Sequence, residues 1–252
     1  FMWLLSYCAQ LIQKPWEKPH VALVLIGAKG TGKNAWLEHL GALLGVCFMV
    51  TANRRYLTSN FNSHLERNLL LGLDEAFWSG DKSVEGILKD LITGREHIIE
   101  RKGHEPYAVA NKTRVVILGN ESWVVPASHD ERRFAVFDVG TGRQQDRAFF
   151  REMAEGMKAG GYEALLRYLQ DFDLDLAGVD INDAPKTVGL RAQQDRSLDP
   201  LPEWWLACLL EQHVLCGASE GWPDSIACQA FQAAFRRHCQ ERNIGGRIPT
   251  AD

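Results

Sequence analysis

A glycine-rich stretch near the amino end of the chain carries the residues that bear most directly on chemistry. It reads GAKGTGKN from 27 to 34, between an apolar run and a segment with leucines at helical spacing. Glycine permits backbone angles at which successive N–H groups converge on an anion, and a helix N-terminus favours negative charge. The pattern predicts a cradle for the phosphates of a nucleotide, formed by Gly27, Ala28, Lys29, Gly30, Thr31, Gly32, Lys33 and Asn34.

Two side chains at the end of this stretch have separate expected roles. Lys33 is placed to bring its ammonium group between the β- and γ-phosphates of a nucleoside triphosphate. Asn34 stands where the usual pattern has a hydroxyl residue that contacts Mg²⁺. We expect nucleotide binding to survive this change. Because an amide presents its oxygen at a longer reach, magnesium should bind more weakly or through a water. A glycine turn without a ligand is the alternative.

Two adjacent carboxylates, Asp74 and Glu75, follow the next apolar run, residues 69–73. Parallel α/β sheets gather ligands at the carboxyl ends of their strands. Asp74 is therefore expected to hold Mg²⁺, and Glu75 to polarise an attacking water. An Asp-Glu helix cap after a core strand is the other interpretation.

Two further positions beside apolar runs are candidates for contact with the γ-phosphate. Asn120 ends the run 112–119 and is expected to orient the γ-phosphate or the water, although a turn asparagine explains it equally well in isolation. Arg132 and Arg133 precede the run 134–139, and we expect them close to the same end of the sheet. One of them, with Arg132 slightly favoured, would act as an arginine finger. A surface ion pair with Glu131 is the alternative.

Basic side chains also cluster in a segment whose pattern predicts a β-hairpin. Residues 98–109 read as two short strands around a turn that contains Gly103. Lys102 is the preferred candidate for contact with DNA, ahead of Arg101 and His104. Contacts from Lys and Arg to phosphate are independent of base sequence, as a translocating protein requires. A solvated hairpin with ordinary surface charges is the alternative.

The elements that must position these residues indicate an α/β protein. Continuous apolar runs rich in β-branched residues predict strands buried on both faces of a parallel sheet, with helices between them. We therefore expect a P-loop NTPase fold, with a parallel sheet flanked by helices. The predicted divisions are an N-terminal helical segment (1–20), the core (21–172), a linker (173–200) and a helical module (201–252), for which a winged helix is one possible form.

Taken in order, these motifs resemble those of superfamily 3 helicases, and more narrowly the helicase part of primase-helicase proteins of phages and mobile elements. The resemblance covers about residues 21–139 and rests on the segments 27–33, 74–81, 88–93, 99–103, 119–126 and 131–134. It implies an AAA+-type core and a hexameric ring on single-stranded DNA, with ATP and Mg²⁺ bound between subunits and the hairpin in the channel. It also implies a primase domain on the same polypeptide and the function of an ATP-dependent DNA helicase motor in replication.

Composition limits the remaining alternatives. With 252 residues, 46% of them apolar, the chain can build a substantial core, and its net charge of -4 means that DNA contact must come from local basic elements. The sequence contains no signal peptide or membrane-length apolar run, and its six cysteines lack CxxC spacing, so we expect a cytoplasmic setting. The chain opens inside a helix-like stretch, as an excerpt of a longer polypeptide would.

Two alternatives to the helicase function stay open. One is an AAA+ loader or remodelling ATPase that acts on a protein, and the other is a nucleotide-binding scaffold without hydrolysis.

Overall fold

The computed structural model describes residues 1–59, 61–74, 82–214, 222 and 225–241. Contacts within the chain divide it into two units, residues 1–193 and 194–252. The helices are α1 (Met2–Gln13), α2 (Lys33–Ala42), α3 (Arg55–Thr58), α4 (Lys82–Thr93), α5 (Arg147–Gly156), α6 (Tyr162–Asp171), α7 (Leu174–Ala177), α8 (Val188–Arg196), α9 (Pro200–Glu211) and α10 (Cys228–Glu241). The strands are β1 (Ala22–Ile26), β2 (Phe48–Thr51), β3 (Leu70–Asp74), β4 (Glu96–Ile99), β5 (Tyr107–Ala110), β6 (Arg114–Gly119) and β7 (Phe134–Asp138). Within the described ranges, none of the helices combines the length and apolar character needed to cross a membrane.

Five strands of the first unit form a parallel sheet in the order β2-β3-β6-β1-β7. All five residues of β1 are buried, which is typical of a strand covered on both faces. The expected α/β class, with a parallel sheet flanked by helices, is confirmed. Because the strands run in one direction, the residues that follow them meet at one edge of the sheet, here called the carboxyl edge. The residues that precede them meet at the opposite, amino edge.

Apolar side chains cover the sheet on its two faces, because successive residues of a strand point to opposite sides. On one face, β1 and α4 contribute Val24, Ile26, Leu88 and Ile92 to the core. On the other face, β1, α1 and α2 contribute Leu23, Leu25, Tyr7 and Leu37. Burial of each such side chain contributes about 2 kcal/mol to stability. The two layers fix the ends of the strands, where the candidate site lies.

A buried arginine attaches α1 to the amino edge of the sheet. Arg114, the first residue of β6, is only 1% exposed. Its guanidinium donates to the side-chain oxygen of Gln10 at 2.6 Å and to the carbonyl oxygens of Lys14 and Glu17 at 3.2 and 2.7 Å. Burial lowers the pKa of Arg114 to about 10, so the group stays charged at neutral pH. The N-terminal helical segment is therefore packed onto the sheet within the first unit.

Replacing Arg114 by alanine should lower the free energy of unfolding by about 3 kcal/mol, because the packing of its buried side chain is lost and the partly buried oxygens that it satisfies would lose their donor. Urea denaturation followed by circular dichroism measures this change. Arg191→Ala is the matched control, since Arg191 is exposed on α8, and it should change stability by less than about 0.5 kcal/mol. Equal denaturation midpoints for the two variants would show that the Arg114 contacts contribute little.

The second unit has a small apolar core of its own. Trp204 of α9 is fully buried and contacts the rings of Phe231 and Phe235 of α10, with ring centroids 4.7 and 5.5 Å away. Cys208 of α9 is also buried in this cluster. The two helices agree with the helical character predicted for this end of the chain. The described residues of the unit contain no strand, so a winged helix stays a prediction.

Candidate functional site

The glycine-rich stretch forms a tight loop between the carboxyl end of β1 and the start of α2. Gly30 and Gly32 have φ angles of +79° and +94°, in the left-handed region that glycine adopts without strain. A Cβ atom at Gly32 would also lie 2.7 Å from the ring of Phe150. The loop therefore depends on glycine at Gly32 for both its backbone shape and its close packing.

Lys33 lies inside this loop and is only 5% exposed. Its Nζ donates to the carbonyl oxygens of Gly27 and Ala28, at 2.7 and 2.9 Å. A buried ammonium group is stable only when such acceptors surround it. The positive charge of Lys33 is thus held at the base of a cradle of backbone groups, where phosphate oxygens could replace the carbonyls as acceptors.

The structure brings Asn34 and Asp74 together across the carboxyl edge. Asn34 Nδ2 donates to Asp74 Oδ2 at 2.6 Å. Because an amide carries both a donor and an acceptor, Asn34 can hold Asp74 with its nitrogen and present its oxygen to a cation. A hydroxyl residue could serve both purposes in the same way. The departure from the usual motif at Asn34 is therefore compatible with the chemistry expected there.

The donor set fits Mg²⁺ in a nucleotide complex. Carboxylate and amide oxygens are hard ligands, and Mg²⁺ in such complexes is held by one or two carboxylates together with substrate phosphates. Asp74 and Asn34 supply protein oxygens of this kind. Among the described residues, no group of three or more His, Cys, Asp or Glu side chains forms a separate metal site. Glu75, the second predicted carboxylate, lies outside the described residues.

A cleft of about 870 Å³ opens above the loop, a size typical of small-molecule sites. Asn120, at the end of β6, lines it together with Asp74, as the positions of both residues after strands predict. The remaining lining residues come from the loop, from the first turn of α2 and from the chain that follows β7. The full set is Lys29, Gly30, Thr31, Gly32, Lys33, Asn34, Ala35, Asp74, Asn120, Gln145, Arg147 and Phe150.

A residue far along the chain holds the segment that follows Asn120. Gln193 of α8 is only 2% exposed, and its side-chain oxygen accepts from the backbone N–H groups of Val124 and Val125 at 2.7 and 3.2 Å. Its Nε2 donates to the carbonyl oxygen of Ser122 at 2.9 Å. Gln193 thus belongs to the support of the site, although the sequence predicts a linker from 173 to 200.

Arg132 and Arg133 lie at the amino edge, so the expectation that they sit close to the same end of the sheet as the loop was wrong. The carbonyl oxygen of Arg133 accepts from the N–H of Ala22, the first residue of β1, at 2.7 Å. Because β7 runs parallel to β1, residues that precede β7 must lie beside the start of β1. The prediction ignored this direction. Arg133 also forms the ion pair with Glu131, at 3.2 Å, that the alternative interpretation describes.

The two arginines line a second cleft, of about 470 Å³, at the amino edge. Arg95, which directly precedes β4, lines the same cleft. Arg95 and Arg132 are both exposed, and no ion pair to either of them is present among the described residues. The cleft is therefore positively charged. Its lining consists of His20, Thr93, Arg95, Arg132, Arg133 and Asn182.

The predicted hairpin is present: β4 and β5 pair antiparallel, from Glu96 opposite Ala110 to Ile99 opposite Tyr107. Arg101 forms an ion pair with Glu66, and its guanidinium lies 5.5 Å from the centre of the Tyr107 ring. Arg101 is thus engaged in local structure.

Lys102 and His104 are exposed in the turn of this hairpin. Between them, Gly103 has a φ angle of +79°, which explains the glycine at this position. No ion pair to Lys102 is present within the described parts of the chain. Its charge is therefore accessible, as the prediction of Lys102 as the preferred DNA contact requires.

An asparagine outside the predicted sites attaches the hairpin to the segment that precedes β3, within the first unit. Asn62 Nδ2 donates to the carbonyl oxygen of Ile98 at 2.8 Å, and Asn62 Oδ1 accepts from the N–H of Glu100 at 2.9 Å. These two bonds hold the chain where β4 enters the turn. The sequence offers no signal for this contact, because the partners are separated by 36 and 38 positions.

Comparisons with known proteins relate the chain to a phage DNA primase-polymerase. Residues 25–133 match a family described as of unknown function, DUF5906. The chain is 25% identical over 169 residues to the DNA primase-polymerase of Nitratiruptor phage NrS-1, an alignment that covers 66% of this chain and 22% of that protein. The chain therefore spans less than a quarter of this curated relative.

Solved structures of the NrS-1 C-terminal region share the fold. An apo structure in its A form has a TM-score of 0.66 and 24% identity, over 79% of this chain and 47% of that one. An apo structure of residues 305–718 of the NrS-1 protein has a TM-score of 0.60 and 23% identity, over 83% of this chain and 50% of that one. The chain is thus homologous in sequence to a phage DNA primase-polymerase and shares the fold of the C-terminal region of the NrS-1 protein.

Proposed function

We propose that the chain is the ATP-driven motor of a DNA replication protein, a helicase of the superfamily 3 type. The observation that carries this proposal is the cleft at the carboxyl edge. Lys33, inside its glycine loop, shares this cleft with Asp74 and Asn120. Homology to a DNA primase-polymerase favours a replication role. A primase domain on the same polypeptide and a setting in the cytoplasm of a bacterial host are parts of the same proposal.

Each residue of the cleft would have a separate role in ATP hydrolysis. The loop N–H groups and Lys33 bind the phosphate chain, while Asp74 and Asn34 hold Mg²⁺. Bound there, the cation would neutralise charge on the phosphates. Asn120 positions the γ-phosphate or the attacking water, and Glu75 polarises that water. Among the described residues of this set, Asp74 ends β3, Asn120 follows β6, and Lys33 and Asn34 begin α2, so the sheet and α2 fix their separations.

The position of Arg132 and Arg133 supports hydrolysis between two copies of the chain. The five residues of β7 separate them from the carboxyl edge, and at about 3.3 Å per residue this is about 16 Å. A guanidinium at the amino edge therefore does not reach the phosphates in its own copy. In a ring, the basic cleft that they form with Arg95 would face the nucleotide of a neighbouring copy. We accordingly propose a homo-oligomer, in the form of a hexameric ring.

ATP hydrolysis would move the hairpin, and the hairpin would pull single-stranded DNA. Lys102 offers an accessible cation that contacts phosphates without regard to base sequence, with His104 beside it. Arg101, held by Glu66, would contribute less.

Replacing Lys102 by alanine should reduce unwinding at least about 10-fold while ATP hydrolysis stays within about 2-fold of the wild type, because one phosphate contact per copy is lost. Unwinding of a forked duplex and release of phosphate are measured side by side. Lys112→Ala is the matched control, since Lys112 is exposed but lies outside the turn. Unwinding at the wild-type rate by the Lys102 variant would exclude the hairpin as the DNA contact.

Phosphate release from ATP with magnesium, with and without single-stranded DNA, tests the proposed function. We expect hydrolysis that DNA stimulates. Stimulation by a protein partner but not by DNA would identify a loader or remodelling ATPase instead. Absence of hydrolysis despite binding would identify a nucleotide-binding scaffold, which the asparagine at Asn34 makes chemically conceivable.

A further inference from the structure

The chain that follows β7 forms one wall of the nucleotide cleft, and no motif of the sequence marks it. The backbone N–H of Gln145 donates to the carbonyl oxygen of Gly30 at 2.9 Å. Gln144 Nε2 donates to the carbonyl oxygen of Lys29 at 3.1 Å. The ring of Phe150 lies against Gly32. Three contacts thus attach this wall to the phosphate loop itself.

The wall includes a backbone conformation that costs free energy and that these contacts help to stabilise. Gln145 has a φ angle of +58°, in the left-handed region that is unfavourable for a residue with a Cβ. Asp146 then caps α5 by accepting from the N–H of Phe149 at 3.0 Å. That bond and the nearby Arg143 lower the pKa of Asp146. As a result, the backbone at Arg147, the first residue of α5, lies close to the loop.

Arg147 brings a charge into the cleft that local structure does not neutralise. It lines the cleft and is exposed, and no carboxylate within the described residues pairs with its side chain. Arg143, four positions earlier, differs: it pairs with Asp146 at 3.1 Å and lies 4.7 Å from the centre of the Phe149 ring. An unpaired guanidinium beside a phosphate loop matches an anionic ligand.

The strand order determines which part of a nucleotide Arg147 can meet. Asn120 and Asp74 follow β6 and β3, on one side of β1, whereas Arg147 comes after β7, on the other side. The hydrolytic groups require the γ-phosphate on the side of Asn120 and Asp74. A phosphate chain that crosses the loop then directs its α- and β-phosphates toward Arg147.

We propose that, given the nucleotide site above, Arg147 binds the α- and β-phosphates, the part that ATP and ADP share. It acts within its own copy of the chain, in contrast to Arg132 and Arg133. Its contribution is chiefly to affinity, since ATP and ADP both carry the α- and β-phosphates. The remaining wall, Gln145 and Phe150, fixes the position from which the guanidinium reaches the ligand.

Titration calorimetry of the wild type, Arg147→Ala, Arg147→Lys and Arg151→Ala with ADP and with a slowly hydrolysed ATP analogue tests this proposal. Arg147→Ala should weaken the binding of both nucleotides about 10-fold or more, because a charge-assisted contact is lost. Arg147→Lys should recover part of the affinity as a point charge. Arg151→Ala, which removes an exposed arginine one turn further along α5, should bind as the wild type does. In hydrolysis, Arg147→Ala should raise KM while kcat changes by less than about threefold.

Three outcomes would overturn the assignment. If the wild type binds nucleotide and Arg147→Ala binds it equally well, Arg147 does not contact the ligand. If the loss is confined to the ATP analogue, the contact is to the γ-phosphate. If the wild type itself binds neither nucleotide, the proposed function fails together with this inference. Thermal unfolding of the nucleotide-free variants separates a lost contact from a damaged fold.

Discussion

Replacement of Lys33 by alanine is expected to reduce DNA-stimulated ATP hydrolysis about 100-fold or more. The Lys33 ammonium group is buried inside the loop at the base of the cleft, and a preorganised positive charge of this kind stabilises the transition state far more than a solvated one does. Release of phosphate at saturating ATP measures the effect. Nucleotide affinity, measured separately by calorimetry, should fall as well, because the same group binds the ground state.

The loss must be separated from unfolding, since the carbonyl oxygens of Gly27 and Ala28 would lose their donor. Thermal unfolding of the Lys33 variant without nucleotide provides this comparison. Lys158→Ala is the control for removal of a lysine, since Lys158 is exposed and does not line the cleft. A folded Lys33→Ala protein that hydrolyses ATP at more than a third of the wild-type rate would show that the loop is not the hydrolytic site.

A protein with both Arg132→Ala and Arg133→Ala should lose about 1,000-fold in kcat, the smallest effect typical of an arginine finger. Nucleotide binding should persist, because these residues lie at the edge opposite the loop. Of the two single variants, Arg132→Ala should be the more severe, since Arg133 is held by Glu131. Rates at increasing protein concentration, with single-stranded DNA present, measure the effect.

Mixing two inactive proteins tests whether the arginines act between copies. The Lys33→Ala protein retains its arginines, and the double arginine variant retains its loop, so an interface between them contains one complete site. We expect the mixture to recover hydrolysis well above the sum of its parts. A mixture as inactive as its components, or an arginine variant as active as the wild type, would contradict a shared site.

The features that the sequence predicts well are local ones. The phosphate loop is recognisable from its glycines, because the loop needs left-handed backbone at Gly30 and Gly32 and glycine adopts it without strain. The hairpin is recognisable because Gly103 marks its turn between two short strands. Strands such as β1 are predicted because burial on both faces demands an uninterrupted apolar run.

The features that could not be predicted from the sequence depend on contacts between distant segments. Gln193 supports the segment after Asn120 from about 70 positions away, and Arg147 enters the cleft only because the chain after β7 folds back onto Gly30. The misplacement of Arg132 has a different origin: a residue before a parallel strand lies at the edge opposite to a residue after it. That rule was available from the sequence once the strands were predicted.

Calorimetric titration of the wild-type protein with a slowly hydrolysed ATP analogue and magnesium tests the central claim, that the glycine loop is a triphosphate site, most directly. The account predicts measurable heat that saturates near one nucleotide per chain and disappears in the Lys33→Ala protein. Absence of heat from the wild type at high protein concentration, or equal binding by the Lys33 variant, would contradict it.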